Sequence, residues 1–138
     1  MCVLRVSSRR KTLTDFLSGS QIPNYDAHDK NTPQKLGREK GKPFGYSGFK
    51  SSVSEKEWDD LPGQIADAIR FLQRYKSDLK QLRDKYKVRD LTLDFPYYLR
   101  IGTNNVVMQC DFLPLKLIGL AGELGIGIEL SLYPHTLD

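Results

Sequence analysis

Ile65, Ile69, Leu72, Tyr75, Leu79, Leu82 and Tyr86 step along the chain by threes and fours. This is the spacing that puts side chains on one face of an α-helix, and no other feature constrains the fold as much. Arg70, Arg74, Lys80, Arg83, Lys85 and Lys87 mostly fall off the stripe. The pattern predicts one continuous helix, about 35–40 Å long at 1.5 Å per residue. Such a helix must lie across a sheet or another helix to bury its apolar face. Pro62 suits its first turn, where a missing N–H costs nothing. Ser54 and Glu57 have the spacing of a capping box just upstream.

The remaining periodicity is mostly that of strands. Cys2, Leu4 and Val6 alternate, then Thr12 or Thr14 can cap a short helix carrying Leu13, Phe16 and Leu17, closed by Gly19. Residues 45–53 read as a glycine-weakened strand. Leu91, Leu93, Phe95 and Tyr97 alternate, with Pro96 marking an edge or bulge. Gly102-Thr103-Asn104-Asn105 is turn chemistry, and Val106, Met108, Cys110 and Phe112 alternate again, so 91–112 reads as a β-hairpin. Leu113 to Leu124 reads as a helix ended by Gly125, and Ile126, Ile128, Leu130 and Leu132 as a last strand stopped by Pro134. The expected order is β-α-β-α-β-β-α-β, an α+β two-layer sandwich with one long helix.

A chain of 138 residues, 39% hydrophobic, fits a single domain over 1–138 with a core of its own. No run approaches the ~20 apolar residues that span a bilayer. The first residues lack the pattern of a secretory signal. Two cysteines, Cys2 and Cys110, cannot form a disulfide framework, and both fall on apolar strand faces, where the expectation is a small buried hydrophobe. The expected location is cytoplasmic, with no membrane partner.

The charge is unevenly spread. Residues 1–50 carry ten Lys/Arg against four Asp/Glu, a net +6, and residues 61–90 carry eight against four, a net +4. Residues 51–60 and 91–138 are each at −3. Such asymmetry points to an acidic partner or nucleic acid, or simply to solvated surface. Much of the N-terminal excess lies in a Pro/Gly/Lys-rich loop at about 20–44, with Pro23, Pro33, Pro43, Gly37 and Gly41. A connection this long in a compact domain is usually functional or disordered. Its cations Lys35, Arg38, Lys40 and Lys42, with the aromatics Tyr25, Phe44 and Tyr46, are the candidate partner-binding residues. Trp58, Tyr97, Tyr98 and Tyr133 are further candidate anchors, because Tyr and Trp combine area with a polar tip. The plainer reading is ordinary core rim, and it is preferred for Trp58, which precedes the long helix on its apolar side.

Catalytic signatures are weak. His28 and His135 lie in the loop and the tail, and no ligand set has zinc spacing, so no metal or cofactor is expected. Gly37 to Pro43 has the wrong spacing for a phosphate loop, and Gly45-Tyr46-Ser47-Gly48 is not a nucleophile elbow. Asp94, Asp111 and Glu129 fall on polar strand faces, where two could meet as an acid/base pair. Lys42-Pro43-Phe44-Gly45-Tyr46-Ser47-Gly48-Phe49 partly matches the RNA-recognition-motif signature, departing at Pro43 and Ser47. The first strand lacks the aromatic that would stack a second base.

Four pieces in order carry a resemblance. They are the short first strand with its Leu-Thr-Asp-Phe-Leu helix (13–17), the basic loop leading to Tyr46-Ser47-Gly48-Phe49-Lys50-Ser51-Ser52, the long Leu/Ile helix, and the closing unit Leu113 to Pro134. Together they resemble a family of small bacterial proteins catalogued as a domain of unknown function. The resemblance implies an α+β sandwich of ferredoxin-like character without assigned catalytic residues. It also implies a setting among immunity partners of polymorphic or contact-dependent growth-inhibition toxins. The basic loop is longer than the family's. The expectation is therefore a non-enzymatic immunity protein. Its loop would occlude the active site of a cognate toxin with an acidic surface. RNA binding through Phe44–Phe49 and the basic helix is the alternative, and an unrecognised small enzyme the second.

Overall fold

The computed structural model of the chain describes residues 1–135. Nine elements follow one another: β1 (Cys2–Ser8), α1 (Thr14–Gly19), β2 (Tyr25–His28), β3 (Ser47–Ser54), α2 (Leu61–Arg74), α3 (Lys76–Asp84), β4 (Asp90–Tyr98), α4 (Leu115–Leu124) and β5 (Gly127–Tyr133). The five strands form one mixed sheet in the order β2-β3-β1-β4-β5. β1 is antiparallel to both β3 and β4, whereas β4 and β5 run parallel, joined by the α4 crossover that a parallel pair requires. The fold is α+β, as expected, but its strand order differs from that of a simple ferredoxin fold.

Alternation assigns the two faces of the sheet. Cys2, Leu4, Val6, Phe49, Leu91, Leu93, Phe95 and Tyr97 are buried on the side covered by helices, against Leu72, Leu79, Leu82, Leu117 and Leu124. Each fully buried Leu stabilises the fold by roughly 1.5–3 kcal/mol relative to exposure. The opposite face carries Arg5, Ser7, Gly48, Lys50, Ser52, Thr92, Asp94 and Glu129.

The apolar stripe on the long helix is real, yet the helix is two. Tyr75 leaves helical geometry (φ −104°, ψ 19°) and separates α2 from α3. Ile65, Leu72, Leu79 and Tyr86 repeat every seven residues. A straight α-helix drifts about 20° per heptad against such a repeat. The break at Tyr75 interrupts that drift, and Leu79 and Leu82 beyond it are fully buried. Pro62 does occupy the first turn of α2, but the cap is Asp60, whose carboxylate accepts the Gly63 N–H at 2.9 Å. Ser54 instead ends β3 and donates to Asp67 at 2.6 Å. In α1, neither Thr12 nor Thr14 caps. Leu13 holds that position, and Gly19 is the last helical residue rather than a left-handed stop.

The largest departure is at 106–112, which forms no strand. β4 already has β1 on one side and β5 on the other, so no edge is left for a hairpin partner. Val107, Met108 and Phe112 are exposed, and Cys110 is exposed rather than buried. The segment is held by polar contacts: Gln109 Oε1 accepts the Arg100 N–H at 2.7 Å, and Arg100 pairs with Asp111 at 2.7 Å. Pro96 is tolerated inside β4 because the β1 ladder stops at Asp94, so its missing N–H deprives no partner. Asn104 and Asn105 adopt positive φ in the turn, and Gly125 ends α4 at φ 69°.

Candidate functional site

The 20–44 connection is ordered by hydrogen bonds at every stage. Ile22 enters the core. Tyr25–His28 adds an edge strand to β3, with an irregular register between Tyr25 and His28 and a positive φ at Asp26. The chain then makes a hairpin of its own. Asn31 N–H donates to the Phe44 carbonyl, Phe44 N–H to Thr32, and Gln34 N–H to Lys42, each at 2.9 Å. Positive φ at Gly37 and Gly41 turns the tip.

Two devices fix the hairpin to the domain. Asp29 accepts the Leu13 N–H at 3.1 Å and the Thr14 hydroxyl, so it ties the start of α1 to the loop. Its backbone carbonyl accepts from Thr32. The second device is aromatic. His28 stacks on Phe44 with ring centroids 3.7 Å apart, and Tyr46 meets His28 edge-on at 5.0 Å. Gly48 lies beneath them. A Cβ there would come within 3.4 Å of both the His28 and Tyr46 rings and 2.8 Å of the Val6 carbonyl oxygen. His28 Nδ1 lies 3.1 Å from the Asp26 carbonyl, while Nε2 is buried with no partner among the described residues.

Between the hairpin and the uncovered face of the sheet lies a cleft of about 1220 Å³. Its floor includes Arg5, Ser7, Lys50 and Thr92, and its wall includes Pro33, Gln34, Lys35 and Leu36. Arg5 is ion-paired with Glu129, and Lys50 with Asp26 at 3.3 Å. Leu36 is 85% exposed, an apolar side chain held out at the wall.

Of the residues expected from the sequence, Lys35, Phe44 and Tyr46 line the cleft. Arg38 and Lys40 sit at the exposed hairpin tip. Lys35, Arg38 and Lys40 make no ion pair among the described residues, whereas Lys42 pairs with Glu39 at 2.7 Å. Tyr25 stands outside the cleft on the edge strand, opposite Lys50. Sequence reasoning missed Arg5, His28, Asp29 and Lys50. None had a local signal, since only the pairing of β1, β2 and β3 brings them together. Trp58 is half-buried beside Leu61, Ile65 and Ile69 of α2, stacks on Tyr133 at 4.5 Å and meets Tyr98 edge-on. Phe49, the aromatic of the RNA-like signature, is buried on the helix side, stacked with Phe16.

The acids fall into separate settings. Asp94 and Glu129 do pair across β4 and β5. However, Asp94 accepts from Ser131 at 2.6 Å and Glu129 is held by Arg5. Asp111 lies in the irregular segment. Burial alone would raise its pKa, but hydrogen bonds from Arg100 and Gln109 and the Arg100 charge hold it below the ordinary carboxylate value. The neighbouring Tyr97 hydroxyl is pushed up, chiefly by burial and then by Asp111. Burial likewise pushes the Cys2 thiol well above its ordinary value, leaving it protonated and unreactive. Among the described residues no three His, Cys, Asp or Glu side chains cluster to hold a metal ion, and no helix is long and apolar enough to cross a membrane. Comparison with known protein families, curated proteins and solved structures gives no match.

Proposed function

We propose that this chain is a non-catalytic binding protein whose 29–46 hairpin covers an acidic surface of a partner protein. One observation carries the reading: a hairpin clamped at its base holds Lys35, Arg38 and Lys40, free of internal ion pairs, beside Leu36 and an open cleft. A preorganised arm loses little entropy on docking. Unpaired rim cations accelerate encounter with an acidic partner. These properties suit a cytoplasmic immunity protein that blocks a bacterial toxin, the setting implied by the family resemblance. RNA binding is the weaker reading, because Phe49, the aromatic of the RNA-like signature, is buried on the helix side and not available to a base.

The test is co-expression with the product of the adjacent gene. A stable complex that protects cells is expected. The triple variant Lys35→Glu/Arg38→Glu/Lys40→Glu should weaken it at least tenfold, mainly through slower association. A complex indifferent to that reversal removes the hairpin from the interface. Failure to bind or protect removes the immunity reading. A steep loss of RNA affinity with salt would favour the alternative instead.

A further inference from the structure

β5 closes one side of the sheet, and among the described residues no strand pairs with its outer edge. Strands left in this state are usually blunted by Lys, Pro or a bulge. β5 carries no Lys, Pro or bulge, and its single charge, Glu129, is turned to Arg5: Gly127–Tyr133 runs seven residues in unbroken register with β4. On the helix side of the sheet it leaves Leu130 39% and Leu132 45% exposed.

We propose that two copies of this chain join along β5, antiparallel about a two-fold axis at Leu130, merging two five-stranded sheets into one. The backbone phase permits it. The Tyr133 carbonyl accepts the Leu99 N–H on the β4 side at 2.8 Å. Backbone groups of alternate residues turn to opposite edges of a strand, so Ile128, Leu130 and Leu132 direct theirs outward. With Leu130 opposite its symmetry mate, Ile128 falls opposite Leu132. Every outward residue then meets an outward residue and exchanges both hydrogen bonds of an antiparallel ladder.

The side chains match in the same register. On the helix side, Ile128, Leu130 and Leu132 meet only one another. On the other face Glu129 falls opposite Ser131 and Gly127 opposite Tyr133, so no like charges confront each other. The apolar row and the absence of any like-charge clash let one patch serve both sides of a two-fold axis, as an interface between two copies requires.

α4 extends the surface. It packs on β5 and against α2 and α3, burying Leu117, Ala121 and Leu124. Its opposite face presents Leu115, 82% exposed, and Ile118, 47% exposed. Gly119 and Gly122 lie on the same side, with open space where a Cβ would stand. Two such faces can approach closely across the axis. The surface shares no residue with the hairpin cleft, so it stands whether or not the binding reading holds.

Sedimentation of the full chain tests the proposal. A dimer is expected at micromolar concentration. Leu130→Lys and Ile118→Lys, each at an exposed side chain, should separately convert it to monomer while retaining the wild-type circular dichroism. In a Cys110→Ser background, Leu130→Cys should be captured as a covalent dimer by a short bismaleimide. A wild-type chain that stays monomeric at 100 micromolar overturns the proposal. A dimer that survives both lysine variants, or one that Leu130→Cys fails to cross-link, overturns it as well.

Discussion

At one edge of the sheet β2 is four residues long, breaks register with β3 and takes a positive φ at Asp26. At the other, β5 keeps register with β4 over seven residues. The β2 edge continues directly into the hairpin, and its irregularity turns His28 onto Phe44. Its end is thereby committed to holding an arm, and a bulged, short strand is also a poor template for another chain. The β5 edge has no such commitment. It exposes leucines where β2 exposes Tyr25 and Asp26. One sheet thus offers two surfaces of different chemistry: cationic and concave at one end, apolar and ribbon-like at the other.

The sharpest way to break this contrast is at Gly48. A valine there would drive Cβ against the Val6 carbonyl and the two rings above it. Overpacking of this kind costs about 1–3 kcal/mol. Gly48→Val should lower the thermal midpoint by several degrees and raise amide exchange across 25–46, leaving β5 protected. Unchanged midpoint and exchange would mean that the aromatic clamp does not hold the arm.

Much of this architecture was legible in the sequence, for identifiable reasons. β1, β4 and the helix stripe were readable because each buries one face and leaves the other polar, so period and burial agree. The hairpin at 91–112 was misread because alternation at Val106–Phe112 carries no information about which edges of β4 are occupied. Global pairing decides that, and β5 takes the place. The break at Tyr75 left no glycine or proline to mark it, and the apolar stripe runs through it without interruption. For the site, composition located the arm and three of the cleft residues. It could not supply Arg5 or Lys50, because a cleft floor assembled from β1 and β3 is a property of register. Asp29 was equally silent, since its partners Leu13 and Thr14 are brought to it by folding alone.

Asp29 also offers the next prediction. Its carboxylate satisfies an otherwise unpaired N–H at the start of α1 while anchoring the loop that follows β2. Loss of a capping carboxylate typically costs about 1 kcal/mol. Asp29→Ala should destabilise the domain by that amount in urea titration, and it should loosen α1 and the hairpin together. If exchange rises at only one of them, the two are not coupled through this residue and the β2 end is less unified than the geometry implies.

The smallest effect belongs to the β5 end. Asp111 is held below its ordinary value of about 3.9 by Arg100 and Gln109. Its folded-state pKa therefore lies under its unfolded one. The resulting stabilisation is complete above the unfolded value and is lost as pH falls through the folded one. Asp67, lowered chiefly by the Ser54 hydroxyl and also by Arg70, follows the same sign. Stability should thus decline below about pH 4 in both wild type and Asp111→Asn, less steeply in the variant. The difference between the two curves isolates Asp111. It should stay under about 1 kcal/mol, because Arg100 is nearly half exposed and solvent screens the pair. Parallel curves would show that the contacts around Asp111 contribute nothing. The 106–112 segment would then owe its place to its connections to β4 and α4, while β5 keeps its own polar ties, Glu129 to Arg5 and Ser131 to Asp94.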